Sequence, residues 1–180
     1  MLKLKNNYKN NGAGFTLVEL LVVITILGIL ATIGLTVFAS AQVRSRDSQR
    51  KSDLKQLSNA LEVFYSDYAK YPDSSSGQIE ACGYNSATKV GAVCVWGSGE
   101  FRDTDGSGTI KTVYFTTLPK DPSSGSNYYY RIVDSGTNQK FQLFAHLENT
   151  QDPGLITTSY SCGNSNCNFA ITSANTTPAE

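Results

Sequence analysis

From Phe15 to Ala39 the chain reads FTLVELLVVITILGILATIGLTVFA, and Glu19 is the one ionisable side chain in that run. A helix of about 25 residues is roughly 37 Å long at 1.5 Å per residue, enough to cross a bilayer. An apolar helix of that length, greasy on all sides, finds no complete cover in a small domain, so it requires lipid or further copies of itself. Lys3, Lys5 and Lys9 precede it without a neighbouring acid, which places the N-terminal flank in the cytoplasm by the positive-inside rule. The rival is a cleaved secretory signal ending at Ala39-Ser40-Ala41. Such a signal has a shorter apolar region, so the length of this one and its internal Glu19 count against that rival.

Beyond Ser40 the sequence turns polar but keeps a helical character. Residues 43–53 (VRSRDSQRKSD) are charged in both signs. Leu54, Leu57, Leu61, Phe64 and Tyr68 then recur every three or four positions, an apolar stripe on one helix face. The first proline is Pro72, and Tyr71 before it resists the helical region. One helix of about 55 residues is predicted, apolar in its first half and amphipathic in its second, running to Tyr71. Residues 73–110 read as loop-rich, with a short strand at 89–96. Residues 113–118, 128–133 and 140–147 read as strands. In the last of these Phe141, Leu143, Ala145 and Leu147 alternate with Gln142, Phe144 and His146, the pattern of a half-buried strand. The tail from Thr172 is polar and reads as frayed. The fold class is α+β, a long helix packed on a small antiparallel sheet. The chain divides into a leader (1–14), an apolar helix (15–39) and a globular head (40–180). The head comprises the amphipathic helix half (40–71) and a β-rich region (72–171).

Gly14-Phe15-Thr16-Leu17-Val18-Glu19-Leu20-Leu21 resembles the cleavage and assembly motif of type IV pilins and type II secretion pseudopilins. The resemblance implies a prepilin peptidase that cuts after Gly14 and methylates the new amine on Phe15. It also implies an inner-membrane assembly platform, and partnership with copies of this chain and other pilins in a helical filament. The short basic leader, residues 57–72 (LSNALEVFYSDYAKYP) and the later runs Leu118-Pro119-Lys120-Asp121-Pro122, Tyr128-Tyr129-Tyr130 and Phe141–Ala145 resemble the same family more loosely. The precursor would sit in the cytoplasmic membrane with its head outside, and the product would be an extracellular or periplasmic filament. Many type IV pilins carry a helix-kinking proline where this chain has Thr36. Gly28 and Gly34 are present instead, and glycine costs a helix only about 1 kcal/mol against about 3 for proline. The residues point the same way independently: a carboxylate in an apolar helix calls for a partner, and the Phe15 amine of a neighbouring copy is a suitable one for Glu19. Such a pair would set register between otherwise slidable helices.

Four cysteines, Cys82, Cys94, Cys162 and Cys167, fit an oxidising compartment. Three pairings are open, of which Cys82–Cys94 with Cys162–Cys167 is the simplest. Free thiols and a zinc site are the alternatives, the second without a C-x2-C pair to support it. Asp103-Thr104-Asp105-Gly106-Ser107-Gly108-Thr109-Ile110 matches the first eight positions of an EF-hand calcium loop, with oxygens at Asp103, Asp105, Ser107 and Thr109. Tyr114 stands where the bidentate glutamate belongs, so a calcium loop here would sit on a scaffold other than an EF-hand, with Glu100 as an extra ligand. The competing reading is a glycine-rich turn. No cofactor is required, and calcium is the candidate ion.

Charge balances at 15 basic and 15 acidic residues. Without the leader's three lysines the count is 12 against 15, a mildly acidic body with no basic cluster to displace counterions from nucleic acid. His146 is the sole histidine, so no Ser-His-Asp or Cys-His site stands apart from it. Gly97-Ser98-Gly99 lacks the lysine of a phosphate loop. The Tyr128–Tyr130 run reads as strand packing. The chain is therefore read as a structural filament subunit, a pilin first and a secretion pseudopilin second, and not as an enzyme. An extracellular binding domain held by a plain membrane anchor is the reading from a different class, and such an anchor has no use for Gly14-Phe15 or Glu19.

Overall fold

Thr16 caps a single uninterrupted helix, α1 (Leu17–Tyr68, 52 residues). The structure is a computed structural model that describes residues 14–180, with residues 33–36 described by backbone alone. The basic leader with Lys3, Lys5 and Lys9 lies outside the described residues. No proline interrupts α1, and the glycine at 28 sits inside it without breaking it. The helix ends three residues short of the predicted Tyr71. Ala69 adopts a left-handed φ of 53°, and its N–H closes on Tyr65 O at 2.7 Å. Tyr71 N–H then donates to Asn138 O at 2.8 Å, which draws the chain away from the helix axis.

The chain forms two compact units that divide between Ala41 and Gln42. In the first, the apolar side chains stand open: Leu17 is 86% exposed, Ile24 57% and Leu30 60%. This is the one helix among the described residues long and apolar enough to cross a membrane.

The second unit has a conventional core. Leu54, Leu57, Leu61 and Phe64 form the buried stripe that the spacing predicts, with Ala60 buried beside them and Tyr68 half-buried at the end. They pack on two sheets. The first contains β1 (Asp73–Ser75), β2 (Gln78–Asn85), β3 (Val90–Val93), β4 (Phe101–Thr104) and β5 (Ile110–Phe115). Its order is β1-β2-β4-β5, with β3 on β2. The second is an antiparallel β6-β7-β8 sheet: β6 (Tyr129–Ile132), β7 (Phe141–Ala145) and β8 (Phe169–Thr172). Ile79, Ala81, Tyr84 and Phe101 from one sheet and Tyr130, Phe141, Leu143 and Ala145 from the other join the cluster.

The α+β class and the helix-on-sheet arrangement agree with the sequence reading. Five details differ. The head holds two sheets, and the β2–β4 pair is parallel. Most of the first sheet lies in the region read as loop. In β2 the inward residues are Ile79, Ala81 and then Tyr84, because a register shift between Cys82 and Tyr84 breaks the period of two. β7 is buried on both faces, not one: Phe144 packs on Cys162, Cys167, Ile156 and Tyr160 of a later loop. The tail is held as well. Ser173 is buried and exchanges hydrogen bonds with Phe141, and Gln142 Nε2 donates to Thr177 O at 2.5 Å.

Candidate functional site

The N-terminus of α1 carries a reciprocal cap. Glu19 N–H donates to Thr16 Oγ1 at 3.2 Å, while Glu19 Oε2 accepts from Thr16 N–H at 2.9 Å and from Thr16 Oγ1 at 2.7 Å. This is a capping box, which satisfies two orphan donors of the first turn. Its T-x-x-E signature stands in the sequence, and Thr16 is the residue that motif reading passed over. Glu19 therefore has a partner within its own chain, and its exposed position leaves it reachable from outside. Phe15 beside it is 77% exposed. Among the described residues, a Cβ placed on Gly14 would meet nothing within 4 Å, so none of them requires glycine there.

In the body, part of the mixed charge of residues 43–53 is turned inward. Arg50 is fully buried on α1. It donates to both oxygens of Asp121 at 2.8 Å, to Asp47 at 2.8 Å and to Ser123 Oγ at 2.7 Å, and it lies 2.9 Å from Glu148. Asp47 also accepts the backbone N–H groups of Glu148 and Asn149 at 2.9 and 2.8 Å. Arg46 is paired with Glu148. Donation from Arg46, helped by Ser123 and Arg50, holds the Glu148 carboxyl down to about 2. Lys51 pairs with Asp152 at 2.5 Å. These bonds fasten the segments before β6 and after β7 to the helix.

The cysteines pair as nearest neighbours, Cys82 with Cys94 (Cα–Cα 5.2 Å) and Cys162 with Cys167 (5.0 Å). Neither free thiols nor a cysteine zinc site is built.

The residues of the calcium motif do not converge. Asp103 is buried on β4, where Oδ2 accepts from Tyr68 at 2.5 Å and Tyr114 at 3.3 Å, and Oδ1 from Thr112 N–H at 2.5 Å. Asp105 instead closes its own turn. Its Oδ1 takes Ser107 Oγ at 2.6 Å, Ser107 N–H at 2.8 Å and Thr109 N–H at 2.9 Å, and these bonds lower its pKa. Glu100 pairs with Arg102 at 2.6 Å. The donors are committed to the protein itself, and no group of three acidic, histidine or cysteine side chains forms among the described residues. The loop is built as the glycine-rich turn. His146 lies just past β7, and its Nδ1 is 2.7 Å from Asn166 O, a backbone contact that supports no catalytic pairing.

Comparison with known proteins locates the likeness. The family described as the prokaryotic N-terminal methylation motif matches residues 9–35. The type IV major pilin protein PilA of Myxococcus xanthus is 40% identical over 68 residues, which is 38% of this chain and 31% of that pilin. The type II secretion system core protein G of Vibrio cholerae is 33% identical over 132 residues, 73% of this chain and 80% of that protein. Its counterpart in Pectobacterium carotovorum is 26% identical over 144 residues, 78% of this chain and 81% of that protein. No solved structure matches.

Proposed function

The chain belongs to the family of type IV pilins and type II secretion pseudopilins, and from that premise we propose that it is a filament subunit cut between Gly14 and Phe15. One observation carries this reading: the matched methylation motif sets Gly14-Phe15 directly before a helix whose apolar side chains are open to any neighbour. Residues 1–14 are the leader, removed by a prepilin peptidase that methylates the Phe15 amine. Residues 15–39 hold the precursor in the cytoplasmic membrane, leader inside and head outside, and then form the filament core with other copies. An inner-membrane platform drives that transfer. Residues 40–180 are the displayed body. The role is structural and not enzymatic. Glu19 exchanges its Thr16 partner for the Phe15 amine of a neighbour, which fixes the axial register. N-terminal mass spectrometry of membrane and sheared filament fractions tests the cut. The expected first residue is methylated Phe15, and a chain beginning at Gln42 would overturn the reading.

Within the family, two secretion core proteins G match over 132 and 144 residues, whereas the match to the pilin PilA covers 68 residues. This favours a pseudopilin over a surface pilus subunit. Deleting the gene distinguishes the two: folded exoproteins stranded in the periplasm identify a pseudopilin, and loss of sheared surface fibres identifies a pilin.

A further inference from the structure

A cleft of about 400 Å³ opens in the body between the two disulfide-stapled loops. We infer that it is a binding site for a neutral saccharide. Its volume lies toward the small end of ligand sites. One wall is Val95 and Trp96, which directly follow Cys94. Another is Ser161 and Gly163, on either side of Cys162. Gln78, Asn127 and Tyr129 complete the part that matters, and no charged residue among those described lines the space.

The walls are set without a ligand. Asn127 N–H donates to Cys162 O at 3.0 Å, and Asn164 N–H to Gly125 O at 2.9 Å. Trp96 Nε1–H donates to Gly77 O at 3.3 Å. Gly77 has φ +80°, and a Cβ there would lie 2.5 Å from a ring carbon of Tyr129. Glycine at 77 is thus what lets the Tyr129 ring close down, where it also stacks on Tyr160 at 5.2 Å. Of the three consecutive tyrosines, Tyr130 is buried and Tyr128 gives its hydroxyl to Asp53 at 2.7 Å. Tyr129 is the half-exposed one.

The chemistry of this lining selects its ligand. The side-chain amides of Gln78 and Asn127 line the cleft, Gln78 half-buried and Asn127 exposed. Each amide both donates and accepts, as does each hydroxyl of a sugar. The aromatic surfaces of Trp96 and Tyr129 offer an apolar seat for the C–H face of a sugar ring. An anionic ligand would lose hydration here with no cation to replace it.

Trp96 is the only tryptophan, so its fluorescence reports on this cleft alone. The full chain, in a detergent without a sugar head group, is titrated with lactose, maltose and cellobiose. A sialylated lactose and an uncharged tetrapeptide serve as the contrasting probes. At least one neutral disaccharide should give a saturable change and the two contrasting probes none. Gln78→Ala and Asn127→Ala, which leave the backbone bonds of both positions in place, should each weaken that response about fivefold or more while the melting temperature stays put. The inference is overturned by no saturable change with any neutral disaccharide up to about 50 mM. An equal response to the sialylated sugar, saturation by the tetrapeptide, or wild-type binding in both variants would overturn it too.

Discussion

Arg50 donates from Nε and Nη2 to the two oxygens of Asp121, each bond 2.8 Å long, and neither side chain is exposed. The pair joins residues 71 positions apart in sequence and fixes the segment before β6 onto α1. A guanidinium offers five donors in a fixed plane, and here they reach Asp121, Asp47, Ser123 and Glu148 together.

Removing the arginine alone leaves Asp121 and Asp47 buried without a counter-charge. Arg50→Ala should therefore destabilise the body by about 3–5 kcal/mol. Arg50→Met with Asp121→Leu, which removes the Asp121 partner as well, should cost less. Denaturant unfolding of each variant measures the difference. Equal losses in the two would show that packing, and not the stranded carboxylate, sets the cost.

Acid should act through Glu148. Its folded pKa of about 2 lies below its ordinary value of 4.5. A depressed carboxyl contributes stability that is whole above about pH 4.5 and is lost as pH falls through about 2. Melting temperature followed from pH 6 downward should fall more steeply for the wild type than for Glu148→Gln across that window. Parallel curves would remove Glu148 as the source.

The helix and its motif are legible in the sequence because each depends on near neighbours. The Leu54–Phe64 stripe is a three-and-four spacing, and Gly14, Phe15 and Glu19 lie within six positions. Arg50 is not legible, since its neighbours in VRSRDSQRKSD suggest a solvated face and its main partners, Asp121 and Glu148, arrive from far along the chain. The β2 strand is hidden by the shift between Cys82 and Tyr84. The calcium motif has two readings because closely spaced oxygens also suit an Asx turn, and Asp105 uses Ser107 and Thr109 for that purpose. The capping box was readable from Thr16 and Glu19, but a functional motif lay over the same letters.

The two disulfides should differ in worth. Cys82–Cys94 spans 12 positions and Cys162–Cys167 spans 5. Loop entropy then assigns about 3 kcal/mol to the first and about 2 to the second. The second also covers Phe144, so replacing Cys162 and Cys167 by alanine should raise binding of a hydrophobic dye as well. Urea unfolding of each double-alanine variant, with non-reducing peptide mapping of the parent, decides both points.

At Gly14 the described residues leave room for a side chain, since none of them lies within 4 Å of an added Cβ. Gly14→Ala should leave the circular dichroism of the purified precursor unchanged while uncleaved precursor accumulates in membranes. A precursor that is cut normally would show that the peptidase tolerates a side chain there.

Glu19 has two candidate roles, and one substitution separates them. Its carboxylate caps α1 through Thr16, and in the proposed filament it meets the Phe15 amine of a neighbour. Glutamine keeps the acceptor that a capping box requires but carries no charge. Glu19→Gln should therefore retain the helix start, insert and be cleaved, yet assemble poorly, because each subunit leaves an amine without its counter-charge in an apolar bundle. Breaking a buried pair in this way costs about 3–5 kcal/mol, and a filament repeats the loss at every subunit. Thr16→Val makes the opposite change: it removes the hydroxyl bonds at 2.7 and 3.2 Å and leaves the charge, at about 1 kcal/mol for a lost cap. Filament yield relative to the membrane pool should then fall steeply for Glu19→Gln and only slightly for Thr16→Val. The reverse order would make the cap, and not the intersubunit pair, the reason this helix carries a glutamate.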